Sequence, residues 1–147
     1  CWHGMGADLY SAIVGVRDWT YLRDRYLNHP QHQYRIVLVL SRLSRKARGV
    51  LVLQSNTNGC EIMGVIAPLN QISLLIIQAR RVARINRDCR VFCQITSNFA
   101  ERFISASGKG TLSELPIRIP ANAWSDGPSP QLLMDRWWLM SGDMDFR

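Results

Sequence analysis

Residues 34–95 constrain the fold most, because their apolar segments and turns alternate in an order that few architectures accept. The stretch from Tyr34 to Leu40 is rich in β-branched and aromatic residues, and a similar stretch runs from Gly49 to Leu53. The basic segment between them predicts a β-hairpin. A turn ending in Asn58-Gly59 leads to a third predicted strand from Cys60 to Ile66.

A long amphipathic helix follows this third strand. Asn70 is a candidate cap for a helix that runs to about Asn86. One face of it is apolar: Ile72, Leu75, Ile76, Ala79 and Ala83. Asp88 to Ile95 then has the composition of a buried strand. A strand–helix–strand unit predicts a right-handed crossover between parallel neighbours.

The remaining segments complete a mixed architecture. The sequence predicts a short helix over residues 1–12, a helix capped by Asp18, and a short helix that begins at residue 96, 97 or 98. It also predicts strands from Leu115 to Ile119 and from residue 131 or 132 to Met140. We therefore expect a single domain over residues 1–147, of α/β (α+β) class. Its sheet would be mixed, mostly antiparallel, with about six strands and flanking helices.

Composition excludes several classes of protein. The chain has 147 residues, of which 47% are hydrophobic, so intrinsic disorder is excluded. A membrane-spanning helix needs about 18 or more apolar residues in a row, and the longest candidate, Ile62 to Ile77, is interrupted by polar residues. The four cysteines lack regular spacing, which favours a reducing, cytoplasmic setting. The start at Cys1 rather than Met predicts a fragment of a longer chain or a processed one.

The net charge of +7 admits anionic partners. Two basic clusters carry much of it, one between the first two strands and one on the long helix: Arg42, Arg45, Lys46 and Arg48, then Arg80, Arg81, Arg84 and Arg87. Solvated surfaces explain both clusters more simply than nucleic acid does, because few aromatic residues that could stack on bases lie near them.

The element order, and two local segments, resemble the GNAT superfamily of acyl-coenzyme A-dependent N-acyltransferases. The stretch from Trp19 to Pro30 resembles the region that leads into the sheet in one subgroup, whose members are often large bacterial proteins. The ending from Asp135 to Phe146 resembles that subgroup's final strand and Gly-Asp-x-Asp-Phe tail. The resemblance spans most of the chain and implies an acetyltransferase-like fold that binds acetyl-coenzyme A or another acyl-coenzyme A.

One loop departs from the superfamily pattern. A loop of pattern Arg/Gln-x-x-Gly-x-Gly/Ala normally holds the coenzyme A pyrophosphate with backbone N–H groups. The corresponding residues 65–71 contain neither a glycine nor a basic residue, and Pro68 lacks an N–H. The glycines of Ser105–Gly110 follow a helix, which is typical of a C-capping loop.

Two interpretations of this departure stay open. In one, the chain is the C-terminal half of a tandem pair, and an upstream GNAT domain binds the cofactor. In the other, the cofactor binds here through unusual contacts. A homodimer and a non-catalytic substrate-binding or interaction domain on the same fold are further alternatives.

The resemblance implies a general base and a general acid for acyl transfer to an amine. The candidate base is Glu61, with Glu114 as an alternative, and the candidate acid is Tyr26, with Tyr21 and Tyr34 as alternatives. Trp137 and Trp138 are adjacent in a predicted strand, so one should be buried while the other faces a groove. The candidate substrate-binding residues are Trp138, Asp143 and Asp145. The sequence predicts no metal site.

Overall fold

A computed structural model describes residues 1–118 and 126–144. Its longest elements are the strands β2 and β3 and the helices α3 and α4. The strands are β1 (Arg35–Leu40), β2 (Ala47–Asn56), β3 (Gly59–Ile66) and β4 (Val91–Phe92). The α-helices are α1 (Trp2–Asp8), α2 (Trp19–Leu22), α3 (Ile72–Asn86), α4 (Ser97–Ser107) and α5 (Pro130–Leu133). A π-helical turn, Arg23–Leu27, continues α2. One 3-10 turn, Leu69–Gln71, precedes α3, and another, Ser141–Asp143, lies at the end of the described chain.

The four strands form one mixed sheet in the order β1-β2-β3-β4. The pairs β1–β2 and β2–β3 are antiparallel, and β3–β4 is parallel. The structure thus confirms a mixed α+β architecture in which helices flank the sheet. It also confirms that a strand within the predicted stretch from Asp88 to Ile95, observed as β4, runs parallel to β3 after a helical crossover.

The sheet is smaller than the sequence predicts. The fourth strand is only Val91–Phe92 rather than Asp88 to Ile95. Residues 115–118 form no strand, and Pro116 lies within them. Ile119 lies outside the described residues. The predicted count of about six strands is therefore wrong for the described part of the chain, which contains four.

The predicted last strand is replaced by a short helix and two isolated bridges. Pro130 begins α5, where its missing N–H costs nothing. Asp135 has a φ of 56°, which breaks an extended conformation. Beyond it, Trp137 forms a parallel bridge with Ile13, and Met140 an antiparallel bridge with Ile95.

Helix α3 packs its apolar face on the sheet, as its periodicity predicts. Leu75 and Ala79 are fully buried there. Gly49 of β2 allows this close approach, since a Cβ at that position would lie 2.7 Å from the Ala67 Cβ and 3.0 Å from a Leu75 methyl group. The predicted cap at Asn70 does not form, because the residue before α3 is Gln71 and no side chain caps the helix.

The predicted capping of α2 is confirmed. The Asp18 side chain accepts a hydrogen bond from the Tyr21 backbone N–H at 2.9 Å. This contact satisfies one of the unpaired N–H groups at the helix start. It also fixes the position of the first turn, which carries Tyr21 toward the end of the described chain.

Candidate functional site

A pocket of about 470 Å³ opens between α2 and the turn Ser141–Asp143, and Met63 of β3 forms part of its wall. This volume is in the range of small-molecule sites. The α2 region, the segment after it, β3 and the final turn contribute the lining: Thr20, Tyr21, Asp24, Arg25, Tyr26, His29, His32, Tyr34, Met63, Ser141, Gly142 and Met144.

The π-helical turn aligns two tyrosines of the pocket. The Asn28 N–H donates to the Arg23 carbonyl at 2.9 Å, an i→i+5 contact that brings residues five apart close together. Tyr21 and Tyr26 are such a pair. Their hydroxyl oxygens lie 3.1 Å apart and their rings pack edge to face at 5.6 Å. Turns of this kind are rare and frequently mark functional sites.

A buried ion pair anchors these tyrosines. Arg17, which is only 2% exposed, places its Nη2 2.5 Å from Oδ2 of Asp143. The Tyr21 hydroxyl donates to Oδ1 of Asp143 at 3.0 Å, and the Met140 N–H donates to Oδ2 at 2.8 Å. Arg17 Nη1 also donates to the Tyr21 hydroxyl at 3.1 Å. Both oxygens of Asp143, a predicted substrate-binding residue, are therefore engaged, and one of them holds Tyr21 in place.

Burial keeps both phenols neutral. Desolvation raises the pKa of Tyr26 far above its usual range, and the neighbouring Tyr21 adds to the rise. Desolvation also raises the pKa of Tyr21, against the opposing effect of the Arg17 charge. Tyr26 is thus a neutral hydroxyl in this structure.

A run of aromatic rings extends the pocket away from the ion pair. Tyr34 packs edge to face on Tyr26 at 5.1 Å and on His29 at 5.4 Å, and His29 lies 4.9 Å from the His32 ring. The N–H groups of Gln31 and His32 donate to His29 Nδ1 at 3.2 and 3.0 Å. A neutral His29 therefore carries its proton on Nε2, which is a hydrogen-bond donor.

Glu61, the predicted base, is buried beside the pocket and does not line it. It is 2% exposed. The Ser141 hydroxyl donates to its Oε1 at 2.6 Å, and the Asn56 side-chain amide donates to Oε2 at 3.3 Å. Burial and the Glu61 charge raise the pKa of the Cys93 thiol to about 11. The contacts of Glu61 tie the final turn to β3, which is a structural role.

Trp138 lies in the core rather than at a groove. Its side chain is fully buried and packs on Phe99 at 4.8 Å and on Phe103 at 6.0 Å between ring centroids. Its indole N–H has no partner among the described residues. Trp137, its neighbour, is half-buried. Of the other predicted residues, Glu114 is exposed and Asp145 lies outside the described residues.

The chain's own first helix covers the start of α3. The Leu69 N–H donates to Oδ2 of Asp8 at 2.6 Å. Gly4 packs closely on Pro68, since a Cβ at Gly4 would lie 2.8 Å from the proline Cγ. A carboxylate thus occupies the position where the resemblance implies a pyrophosphate. The sequence does not indicate this role of Asp8, because 61 residues separate it from its partner.

The role of Arg17 is likewise not indicated by the sequence. Only its position just before the cap Asp18 sets it apart in the sequence. A buried arginine must have a partner, but a partner 126 residues away cannot be read from local spacing.

Comparison with protein-family models, with curated proteins and with solved structures gave no match for this chain. Within residues 1–118 and 126–144, no helix has the length and apolar content to cross a membrane. The same described residues contain no group of three or more His, Cys, Asp or Glu side chains able to hold a metal ion.

Proposed function

We propose that this chain is an acyltransferase-like domain of the GNAT type, and that its tyrosine-lined pocket holds the amine that accepts the acyl group. The acyl donor in this proposal is acetyl-coenzyme A or a related thioester. Tyr26 is the candidate acid that protonates the leaving thiolate, and Tyr21 positions it.

One observation carries the proposal. β3 and β4 pair in parallel only through Cys60–Val91 and Glu61–Phe92. Beyond that point the turn Ser141–Asp143, rather than a strand, lies against β3, and the pocket opens there beside Met63. The resemblance implies that the acyl donor binds in a groove of the sheet, and in this chain such a groove lies between β3 and the turn Ser141–Asp143.

The fixed geometry of the pocket supports a catalytic role for Tyr26. An acid contributes to catalysis when it is held within hydrogen-bonding reach of the reacting group. The Tyr26 hydroxyl is bonded to Tyr21, which the ion pair of Arg17 and Asp143 holds in turn. Three side chains thus hold one phenol in a single orientation.

A second candidate function, a ligand-binding domain without transfer, is favoured by the contact of Asp8 with Leu69. A carboxylate at the start of α3 repels a second anion. The coenzyme must therefore displace Asp8, or another domain must present it. If neither occurs, the pocket binds its ligand without transferring an acyl group.

Calorimetric titration of acetyl-coenzyme A tests the two functions. We compare the unmodified chain, the variant Asp8→Asn, and Glu114→Gln as a control with the same change of charge at an exposed loop residue. Removal of one like charge near an anion site changes affinity by about tenfold at moderate salt. The acyltransferase proposal predicts binding that Asp8→Asn strengthens and Glu114→Gln does not.

Absence of binding in all three proteins would contradict a donor site in this chain and favour the ligand-binding alternative. Equal strengthening by both variants would show a general charge effect and no competition with Asp8.

A further inference from the structure

The hairpin between β1 and β2 ends in a strongly basic tip, residues 41–48. Its four basic side chains are all exposed: Arg42, Arg45, Lys46 and Arg48. In the described part of the chain, none of these four takes part in an ion pair. The sequence also has no acidic residue from position 25 to position 60. The tip is therefore a concentrated positive charge with no counter-charge on its own hairpin.

Apolar side chains lie at the same end of the hairpin. Leu43, in the turn itself, is 94% exposed. Leu38 and Leu40 are 56% and 39% exposed, and because they are two apart on β1 they lie on one face of the sheet. Single exposed leucines are common on protein surfaces, whereas several of them bordered by charged residues indicate an interaction site.

Backbone hydrogen bonds hold the tip in shape. The Ser41 N–H donates to the Lys46 carbonyl at 2.8 Å, and the Arg45 N–H donates to the Ser41 carbonyl at 3.0 Å. Arg45 has a φ of 55°, a left-handed conformation that glycine adopts without the steric cost that an arginine incurs. Leu43 and its basic neighbours are thus presented by a folded turn that continues the sheet.

We propose that this hairpin tip docks the protein on a membrane surface that carries anionic lipid headgroups. The basic side chains pair with headgroup phosphates, and the exposed leucines enter the boundary between headgroups and acyl chains. Both contributions are needed, because a single weak anchor gives only marginal, reversible membrane binding. The tip lines no part of the tyrosine pocket, so the inference does not depend on the proposed function.

The composition of the tip favours a membrane over a nucleic acid. Residues 35–53 contain no aromatic side chain on which a base could stack. The phosphates of a duplex attract basic residues equally well, but they offer the leucines no apolar surroundings. A lipid surface accommodates both kinds of side chain.

The second basic cluster, on α3, provides an internal control. Arg81 and Arg84 are exposed there, and Ile85 between the cluster's members is 80% exposed. Asp88 lies directly after this cluster in the sequence, whereas the tip has no carboxylate near it in the sequence. A general attraction to anionic surfaces would involve both clusters, whereas docking through the tip involves only one.

Cosedimentation of the 147-residue chain with lipid vesicles tests the proposal. Vesicles of phosphatidylcholine alone are compared with vesicles of equimolar phosphatidylcholine and phosphatidylglycerol at moderate salt. Each basic residue near an anionic surface raises the partition coefficient about fivefold. The chain should therefore sediment with the mixed vesicles and not with the neutral ones.

Two pairs of variants locate the docking surface. Leu43→Ser should lower the partition coefficient about tenfold, because it removes an apolar side chain from the lipid boundary, whereas Ile85→Ser should change it less than about twofold. Arg42→Gln combined with Arg45→Gln should lower it about tenfold to thirtyfold. Arg81→Gln combined with Arg84→Gln makes the same change of charge and should lower it less than about threefold, since screening weakens charges away from the surface.

Absence of binding to the mixed vesicles, equal losses from the two arginine pairs, or binding that Leu43→Ser leaves unchanged would each overturn the proposal. All these side chains are exposed, and circular dichroism checks that each variant folds. If Leu43→Ser does not fold, Leu43→Trp decides: brominated lipid in the mixed vesicles should quench the added emission, and absence of that quenching would contradict docking through the tip.

A DNA duplex of mixed sequence tests the competing partner. If the duplex displaces the chain from vesicles and its own binding is insensitive to Leu43→Ser, the tip is a nucleic-acid surface and the proposal is wrong. If the duplex does not displace the chain, the membrane proposal stands. The vesicles contain no coenzyme, so a failed acetyl-coenzyme A titration leaves this result unaffected, and the reverse also holds.

Discussion

Two regions of this molecule depend on different physics. The apolar layer, where α3 packs on β2 and β3, is built from side chains that repeat at helical or strand spacing and are buried against one another. The polar cluster, formed by Arg17, Tyr21, Tyr26 and Asp143, is held by directed hydrogen bonds between distant parts of the chain. The first depends on close packing, which has no preferred direction, whereas the second requires every hydrogen-bond partner to be present.

The largest expected effect comes from breaking the ion pair. Arg17→Met leaves the Asp143 carboxylate largely buried without its charge partner. Such a change lowers the free energy of unfolding by about 3–5 kcal/mol. The measurement is urea denaturation followed by circular dichroism.

The matched control for this prediction is Arg17→Met combined with Asp143→Asn. It removes both charges while the amide oxygen still accepts from Tyr21, so much of the lost stability should return. A loss below about 1 kcal/mol in the single variant would mean that the pair behaves like a surface salt bridge.

The apolar layer should respond to lost volume instead. Leu75 is fully buried against Gly49, and Leu75→Ala should lower the free energy of unfolding by about 2–5 kcal/mol. Ile77, on the same helix but 45% exposed, provides the comparison: Ile77→Ala should cost less than about 1 kcal/mol. Equal losses at the two positions in thermal or urea unfolding would show that α3 is not packed as described.

The smallest expected effect lies where the two regions meet. Gly142 packs so closely that an added Cβ would collide with the Tyr26 hydroxyl and lie 2.7 Å from the Met63 carbonyl oxygen. Gly142→Ala should therefore cost about 1–3 kcal/mol through overpacking. It should also shift the NMR signals of the Tyr26 ring, which a loss of stability alone would leave in place.

Gly15→Ala is the control, since a Cβ there meets no atom within 4 Å. If both alanine variants unfold at the same urea concentration, the contact of the final turn with Tyr26 does not contribute to stability.

The apolar layer could be predicted from the sequence because its signals are local. The hairpin from Tyr34, the strand ending at Ile66 and the helix ending at Asn86 all have the predicted periodicity, and the structure places them close to the predicted bounds. The absence of a final strand could not be predicted from the sequence. An apolar stretch such as residues 137–140 has the composition of a strand even where only single bridges form.

The polar cluster could be predicted only in part. The sequence indicates Tyr26, Tyr21 and Asp143 as chemically competent side chains. Their contacts with one another and with Arg17 follow from no spacing rule. Trp138 illustrates the same limit, since adjacency in sequence indicates opposite faces but not which face is buried.

The bridge between Ile13 and Trp137 has a consequence for folding. This bridge and the ion pair between Arg17 and Asp143 close almost the whole described chain into one loop. The two members of the ion pair are 126 residues apart in the sequence. Local contacts in the hairpins and α3 can form early. A loop of this length closes late, because the chain must lose conformational entropy before the contacts that stabilise the closed loop can form. We therefore expect the pocket to take shape late in folding, after the local contacts of the hairpins.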